Sequence, residues 1–452
     1  MLKHALLIFS FVIFGLLLAA LVSSVGVSAD APHVYVLEFD GTVCPPMADY
    51  IERGIAEAEK DDARACIIVM DTPGGLLSST EDIVKRITEA NVPVVVFVKP
   101  WAGSAGTFIT IAAHIAAMAP GSNIGAASPV SGSGDEISET MKKKITQHTE
   151  AWVESLADSR GRNKKAAIAA VAEAASYTDK EALGLDEVEN WQALGLDSPL
   201  LNPPLVDLGA DSLSDLLRKI DGREVTLQSG EVVKLQTRDA AIDYLSMTTI
   251  ERFLLAISDA NIAYILLSIA SLGIMVEIFH PGLIFPGVTG GICLFLSIYA
   301  LDMMEANYAG LLLMLLAFGL FVAEAFTAGF GLLAAGGIIS LVLGSFILFS
   351  GTPFSVDPWL IAVVAIFVTA IFVFIVTAVV RAHRGRVDTG REGLVGQTAV
   401  ARTPLAPRGT VMIRGENWNA LVEEGTVQSG EEVVVTQVKG LRLTVTKPSK
   451  DR

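Results

Sequence analysis

Histidine, cysteine and charge are all scarce in this chain, and each shortage removes a class of function. Six histidines in 452 residues, none in an HExxH arrangement, leave zinc-dependent hydrolysis poorly supplied with ligands. The three cysteines, Cys44, Cys66 and Cys293, form no CxxC pair, and the last lies inside an apolar run. Neither a metal knuckle nor a disulfide framework is signalled, and no cofactor is expected. Only 18% of residues are charged, against roughly 25% in an average soluble domain, and the net charge is -16. A chain this acidic offers no basic face for phosphates, so nucleic-acid binding is excluded as a function class. What is abundant is apolar surface, at 52% of residues, which points to the lipid bilayer as a partner.

The apolar residues are unevenly spread. Lys3 and His4 precede an apolar stretch from Ala5 to Val22, and Val27-Ser28-Ala29 suits a small-residue cleavage site. Residues 1–29 therefore read as a secretory signal peptide, with an uncleaved N-terminal anchor as the alternative; either one places the next domain outside the cytoplasm. From residue 30 to 202 the pattern is that of an α/β domain. Strands are expected at Val34–Phe39, Cys66–Asp71 and Val94–Lys99, the last two apolar enough to be buried on both faces of a parallel sheet. Helices at Pro46–Lys60 and Ser78–Ala90 fit between them, giving a βαβ series. Residues 158–200 read as helical and Ala-rich up to the break at Pro203-Pro204. Residues 203–250 form a connector, with a short helix at Leu213–Ile220 and a hairpin over Glu224–Thr237 turning at Gln228-Ser229-Gly230.

Residues 251–380 hold five runs that approach the ~20 residues a bilayer-spanning helix needs: Asn261–Phe279, Gly287–Leu301, Tyr308–Ala325, Phe330–Phe349 and Pro358–Val380. The second is short and interrupted by glycines, so four helices and a re-entrant hairpin remain an alternative. Arg381, His383, Arg384 and Arg386 follow the last run, and basic residues stay in the cytoplasm. Five helices then put the α/β domain outside and the C-terminus in the cytoplasm; four would put both outside. Over residues 388–450 short strands separated by Gly and Asn turns, at Gly409–Arg414, Trp418–Leu421, Glu432–Val438 and Leu441–Lys447, suit a small all-β closed barrel of the OB-fold kind.

Two loops carry candidate chemistry. Asp71-Thr72-Pro73-Gly74-Gly75 and Gly103-Ser104-Ala105-Gly106 each follow an expected strand and lead into a helix, and sites in parallel α/β sheets form at that edge. A serine at such a turn presents its hydroxyl at a helix N-terminus, where backbone N–H groups favour developing negative charge. A Gly-Gly pair lets a second strand of backbone approach and offer another N–H. Taken singly, Gly-Ser-Ala-Gly is common where a helix packs on a sheet, and Pro-Gly-Gly is first of all a turn. Their order and spacing say more.

At those spacings Asp71–Gly75 resembles the (N/E/D)-(S/T)-P-G-G loop of the Clp and signal-peptide-peptidase-A clan of serine peptidases, and Gly103–Thr107 resembles its nucleophile turn. Met118-Ala119-Pro120-Gly121, Ile124-Gly125-Ala126 and Glu181-Ala182-Leu183 match as well. With the membrane helices and the terminal β domain, the whole is similar to the long-form NfeD proteins, membrane-bound Clp-class peptidases. The resemblance implies a Clp/crotonase-like α/β protease domain, then an α-helical transmembrane bundle, then a small all-β domain. It also implies Ser104 as nucleophile, with Gly74, Gly75 and Ala105 at the oxyanion hole.

A nucleophilic hydroxyl needs a base. Clp-type soluble peptidases carry a His shortly before a Pro, whereas Gly125-Ala126-Ala127-Ser128-Pro129 has none. The long-form family uses a Ser-Lys dyad with its lysine in a Lys-Ile-Thr segment, which here is Lys144-Ile145-Thr146. Lys144 is accordingly the implied base, while Lys142 and Lys143 suit a solvated helix start. His114, in an Ala-Ile helical setting some 15 Å along a continuous helix from Ser104, suits packing rather than proton relay. Ser131, Gly132, Ser133 and Gly134 read as a flexible loop near the entrance, and Glu277, Glu305 and Glu324, in or beside membrane helices, raise a suspicion of function. The resemblance further implies hydrophobic substrate segments and a stomatin- or prohibitin-type membrane partner. Assembly of a homo-oligomer through the protease domain is also expected. A membrane scaffold in which the Clp-like fold only binds such a partner is the second reading, and whether Ser104 and Lys144 converge is the observation that discriminates.

Overall fold

A computed structural model describes residues 32–129, 139–327, 331–350, 352, 354–384 and 391–448. The expected signal peptide and the Ser131–Gly134 loop lie outside these residues. Contacts divide the chain into two units, Met1–Thr369 and Ala370–Arg452.

The first unit is built on a parallel sheet. Strands β1 (His33–Asp40), β2 (Cys66–Thr72) and β3 (Val94–Gly103) alternate with helices α1 (Pro45–Lys60) and α2 (Leu77–Thr88). Cys66, Ile67, Ile68 and Met70 of β2 and Val94–Val98 of β3 are buried, as continuous apolar runs in a sheet covered on both faces must be. Prolines open α1, where a missing N–H costs nothing. The helix then turns Met47, Tyr50, Ile51 and Ile55 inward. Gly54 lets it settle on Leu37, since a Cβ there would lie 2.0 Å from Leu37 Cδ2.

Beyond β3 come α3 (Ala105–Ala112), β4 (Ile115–Met118), β5 (Asn123–Gly125), α4 (Glu139–Ser159), α5 (Lys164–Ala172), β6 (Ser176–Thr178) and the single turn α6 (Asp179–Ala182). Residues 158–200 are thus not one helical stretch. Gly161, Gly184 and Gly195, all at positive φ, break it into turns, and β6 leaves to pair antiparallel with β5.

The expected connector is woven into the same sheet. β7 (Leu208–Gly209) pairs with β4, and β10 (Ala241–Tyr244) pairs with β1, so the path runs β10-β1-β2-β3-β4-β7 with β5 and β6 branching from β3. Between them helix α7 (Leu213–Ile220) and the hairpin β8 (Glu224–Thr226) and β9 (Val232–Lys234) pack Leu216, Leu217, Ile220, Val225 and Leu227 against Val36, Ile67, Val95 and Phe97.

Helix α8 (Thr249–Ile257) leads into five apolar helices: α9 (Ala260–Phe279), α10 (Phe285–Met303), α11 (Tyr308–Phe326), α12 (Leu332–Leu348) and α13 (Pro358–Arg384). The first three of these are long and apolar enough to cross a membrane; the described apolar parts of the other two are shorter. The second run forms a continuous helix of 19 residues rather than a re-entrant hairpin. Its glycines serve close packing. A Cβ on Gly290 would lie 2.9 Å from the Ala270 carbonyl, and one on Gly273 would lie 2.5 Å from that of Pro286. Gly310 and Gly344 play the same part between α11 and α12, as small residues do where backbones approach in a bilayer. Asn307 N–H donates to Leu348 O, and Asp357 N–H to Asn261 Oδ1, at 2.8 and 2.9 Å. The starts of α9, α11 and α13 and the ends of α10 and α12 therefore share one level.

The second unit holds a closed barrel, β11 (Thr398–Ala401), β12 (Arg408–Ile413), β13 (Glu416–Val422), β14 (Glu432–Lys439) and β15 (Arg442–Thr446), in the order β11-β12-β13-β15-β14. Only β13 and β15 pair parallel, the five-stranded arrangement expected of an OB-fold. Val411, Val433, Val435, Leu443 and Val445 fill it.

Candidate active site

Ser104 stands at the turn between β3 and α3, with φ 47° and ψ -111°. A non-glycine residue at positive φ stores on the order of 1–3 kcal/mol and persists only where its surroundings over-determine it. They do so here. Ser104 N–H donates to Gly125 O at 2.9 Å, and its carbonyl accepts from Thr107 N–H at 2.9 Å. The buried Thr107 hydroxyl lies 3.1 Å from Ala102 O and 3.0 Å from Gly125 O, and accepts from Gly125 N–H at 3.1 Å. One side chain thereby ties the strand before the serine to the strand beside it.

The Gly-Gly loop meets the serine from β2. A Cβ on Gly74 would fall 2.5 Å from Ser104 Cβ and 3.1 Å from its Oγ, so no other residue lets the two loops come this close; φ of +118° makes the same demand. Gly74 N–H donates to Thr72 Oγ1 at 3.1 Å, within its own loop. Gly75 is held by Val43, whose N–H donates to Gly74 O and whose carbonyl accepts from Leu76 N–H, both at 2.9 Å. The amides of Gly75 and of Ala105, the first residue of α3, donate to no acceptor among the described residues. Both are the kind of unspent N–H that stabilises an oxyanion. Asp71, at the end of β2 opposite Asp40, has its carboxyl raised above the usual range, by burial first and then by Asp40.

The far end of α3 is tied down by arginines. Arg160 Nε donates to Ala112 O at 3.0 Å, and the buried Arg162 donates to Thr110 O at 3.2 Å, to Ile111 O and, at 2.6 Å, to Asp207 Oδ2. These cations complement the carbonyl end of the helix whose amide end carries Ser104. α3 stops at Ala112, so His114 lies in the bend just before β4 rather than in a continuous helix; its Nδ1 accepts from Val94 N–H at 3.2 Å. Burial, then Arg160 and Arg162, push its pKa down to about 3. It is a packed, neutral histidine.

Lys144 lies in the first turns of α4, exposed, and makes no hydrogen bond or ion pair with Ser104. The structure does not bring the implied dyad into contact. It does lay the two helices side by side in the same sense: Phe108 stacks on Trp152 with centroids 4.7 Å apart, and Ala112 meets Arg160. Eight residues back from Trp152, Lys144 is about 12 Å along α4, and Ser104 is about 6 Å back from Phe108 along α3. The lysine end of α4 thus runs alongside and past the serine.

The membrane glutamates have structural partners. Glu324 caps α12, accepting from Gly331, Leu333 and Ala334 N–H at 2.8, 2.9 and 3.3 Å. Glu277 Oε1 accepts from Gly282 N–H at 3.0 Å, and Glu305 Oε1 from Ser78 Oγ at 3.1 Å. Sequence reasoning gave no role to Thr107, Arg160 or Arg162. The first is inside the Gly103–Thr107 motif, and its type alone, a buried threonine one turn after the serine, was the available signal.

A parallel α/β domain with a strained serine at a strand-to-helix turn, carried on apolar helices and followed by a five-stranded barrel, defines a membrane protein with a Clp-protease-like domain. Comparison with known proteins agrees. Residues 33–188 match the NfeD1b N-terminal domain, 261–378 the NfeD integral membrane domain, and 391–447 the NfeD-like C-terminal, partner-binding domain. The chain belongs to the NfeD family. It is 33% identical over 432 residues to the membrane-bound protease PH1510 of Pyrococcus horikoshii, spanning 92% of this chain and 94% of that protein. It is 28% identical over 448 residues to the membrane protein NfeD1b of Bacillus subtilis, spanning 95% and 96%. Among solved structures, a lysine-to-alanine variant of the 1510-N membrane-bound stomatin-specific protease with a substrate peptide is 30% identical, with a TM-score of 0.44, over 50% of this chain and 98% of that one.

Proposed function

We propose that this chain is a membrane-bound serine endopeptidase that cleaves apolar segments of membrane-associated proteins. Ser104 is its nucleophile, Lys144 its general base, and the Gly75 and Ala105 amides its oxyanion donors, with Gly74 admitting the loop to the serine. The observation that carries this reading is the strained Ser104 at the head of α3, with two unspent amides on the loops that meet there. The extended likeness to a relative named as a membrane-bound protease supports it.

The oxygen of Ser104 attacks the scissile carbonyl while Lys144 takes its proton. The bond to carbon forms as the carbonyl oxygen becomes an anion between the two amides. Collapse expels the amine, which leaves with the proton, and water then releases the acyl group. In this structure Lys144 still stands off, so the dyad closes on substrate, as catalytic contacts in unliganded enzymes often do. The test is Ser104→Ala in the full-length protein with a fluorogenic apolar peptide. It abolishes cleavage and leaves thermal unfolding nearly unchanged; undiminished cleavage overturns the assignment.

The separation of Ser104 from Lys144 also favours a second reading, a scaffold that binds a stomatin-like partner without cutting it. Wild-type protein that captures such a partner but cleaves neither it nor the peptide supports that reading. For orientation, α13 starts at the level where α9 starts. An odd number of crossings followed by Arg381 and Arg384 supports the reading in which the first domain lies outside the cytoplasm and the barrel within it.

A further inference from the structure

We propose that helix α8 is an interfacial membrane anchor, lying in the headgroup layer with Ile250 and Phe253 immersed in the lipid, and that it holds the α/β domain at a fixed height above the bilayer. The partner is a lipid surface.

The helix has two contrasting faces. On the inner one Glu251 accepts from Arg53 of α1, Nε and Nη2 each at 2.7 Å, and Arg53 Nη2 also reaches Ser246 O at 3.1 Å. Glu251 completes a capping box with Thr248, so the same carboxylate fixes the start of the helix and its seat on the domain. At the other end Ile257 and Ser258 are buried, and Ser258 Oγ lies 3.8 Å from Met303 Sδ at the end of α10. The nine-residue helix is therefore wedged between the α/β domain and the apolar bundle.

On the outer face Ile250 is 71% and Phe253 49% exposed, at i, i+3 spacing, and exposed Arg252 lies about 100° round the helix from Phe253. Large apolar side chains on one stripe with a basic residue beside it fit the boundary between headgroups and acyl chains, where such helices sink about 5–10 Å. Continuity identifies the occupant. α9 opens at Ala260, immediately after α8, and its start shares a level with the ends of α10 and α12. That level is a membrane boundary, and α8 sits at it.

The anchor reaches the candidate site through α1, which begins just after Val43, the residue that clasps Gly74 and Leu76. A domain seated this way presents Ser104 at one distance from the lipid.

Full-length Cys293→Ala protein in phospholipid nanodiscs, spin-labelled at Ile250→Cys, Phe253→Cys or the exposed control Leu185→Cys, tests the proposal without recourse to activity. Positions 250 and 253 are expected to show an oxygen-to-nickel-chelate accessibility ratio several-fold above position 185. A ratio equal to that at 185 means the stripe faces water, and exclusion of both reagents means protein covers it; each overturns the proposal. Unlabelled Phe253→Trp protein gives a second reading, since brominated lipid should quench its added emission and an unquenched signal counts against immersion.

Discussion

The two halves of the candidate site differ in how they are held. Ser104 is held by hydrogen bonds to Gly125 and Thr107 and by close packing against Gly74 of the Val43-clasped Gly-Gly loop. Lys144 stands exposed near the start of α4, two turns before Trp152 stacks on Phe108. A nucleophile and its oxyanion donors must be placed before substrate arrives, since their value lies in not reorganising. A lysine base faces a different demand. It must be uncharged to accept a proton, and exclusion of water by bound peptide favours that form. On the proposed mechanism the serine half is set in advance and the lysine closes on it with the substrate.

The strongest test of that contrast is the base. Replacing Lys144 by Arg keeps the charge but removes any group able to deprotonate. Loss of a general base costs on the order of 100- to 10,000-fold. Steady-state cleavage by Lys144→Arg should fall in that range, while Lys142→Arg and Lys143→Arg stay near wild type. An active Lys144→Arg enzyme would move the base elsewhere and dissolve the comparison.

The same contrast governs what could be read in the sequence. Strands β1 and β2 and helices α1 and α2 were legible to within two residues at each end, and β3 was placed but runs on to Gly103, because buried parallel strands announce themselves as unbroken apolar runs. Ser104 and Gly74-Gly75 were legible for a related reason: a turn that tolerates few residues leaves a motif. Residues 158–200 misled, since the alanine-rich helix α5 stops at Ala172, and the last-turn carbonyls of Ala169 and Ala170 accept from Ala175 and Ala127 beyond it. The role of residues 203–250 in closing both ends of the sheet was not legible, for β7 is two residues long and β10 is exposed throughout. Strand pairing between distant segments leaves no local pattern. Nor does a lysine's approach to a serine, and the structure itself leaves that pair apart.

A smaller effect probes the rigid half alone. Thr107→Val conserves shape but deletes the oxygen that joins Ala102 to Gly125. An unsatisfied buried partner costs about 1–3 kcal/mol. Chemical denaturation should show a loss of that size, and cleavage should fall through kcat, because the bonds lost position the serine rather than bind peptide. Unchanged stability and unchanged kcat together would show that the turn is held by something else.

The mildest test uses pH and the other end of α3. His114 is buried and neutral, its Nδ1 accepting from Val94 N–H and its pKa pushed down to about 3 by burial and by Arg160 and Arg162. An unfolded histidine titrates near 6.5. Between those values the unfolded chain binds a proton that the native chain refuses, so stability is full above about pH 6.5 and falls as pH drops below it, by up to about 1.4 kcal/mol per unit. His114→Asn keeps an oxygen where Nδ1 accepts and cannot titrate. Unfolding of the variant followed from pH 7 to 5 should lack the part of the acid slope that wild type shows, while its activity at pH 7 stays close to wild type, because α3 keeps its arginine ties. An identical acid slope in both proteins would mean that His114 is protonated without cost, and that the carbonyl end of α3 is looser than its hydrogen bonds imply.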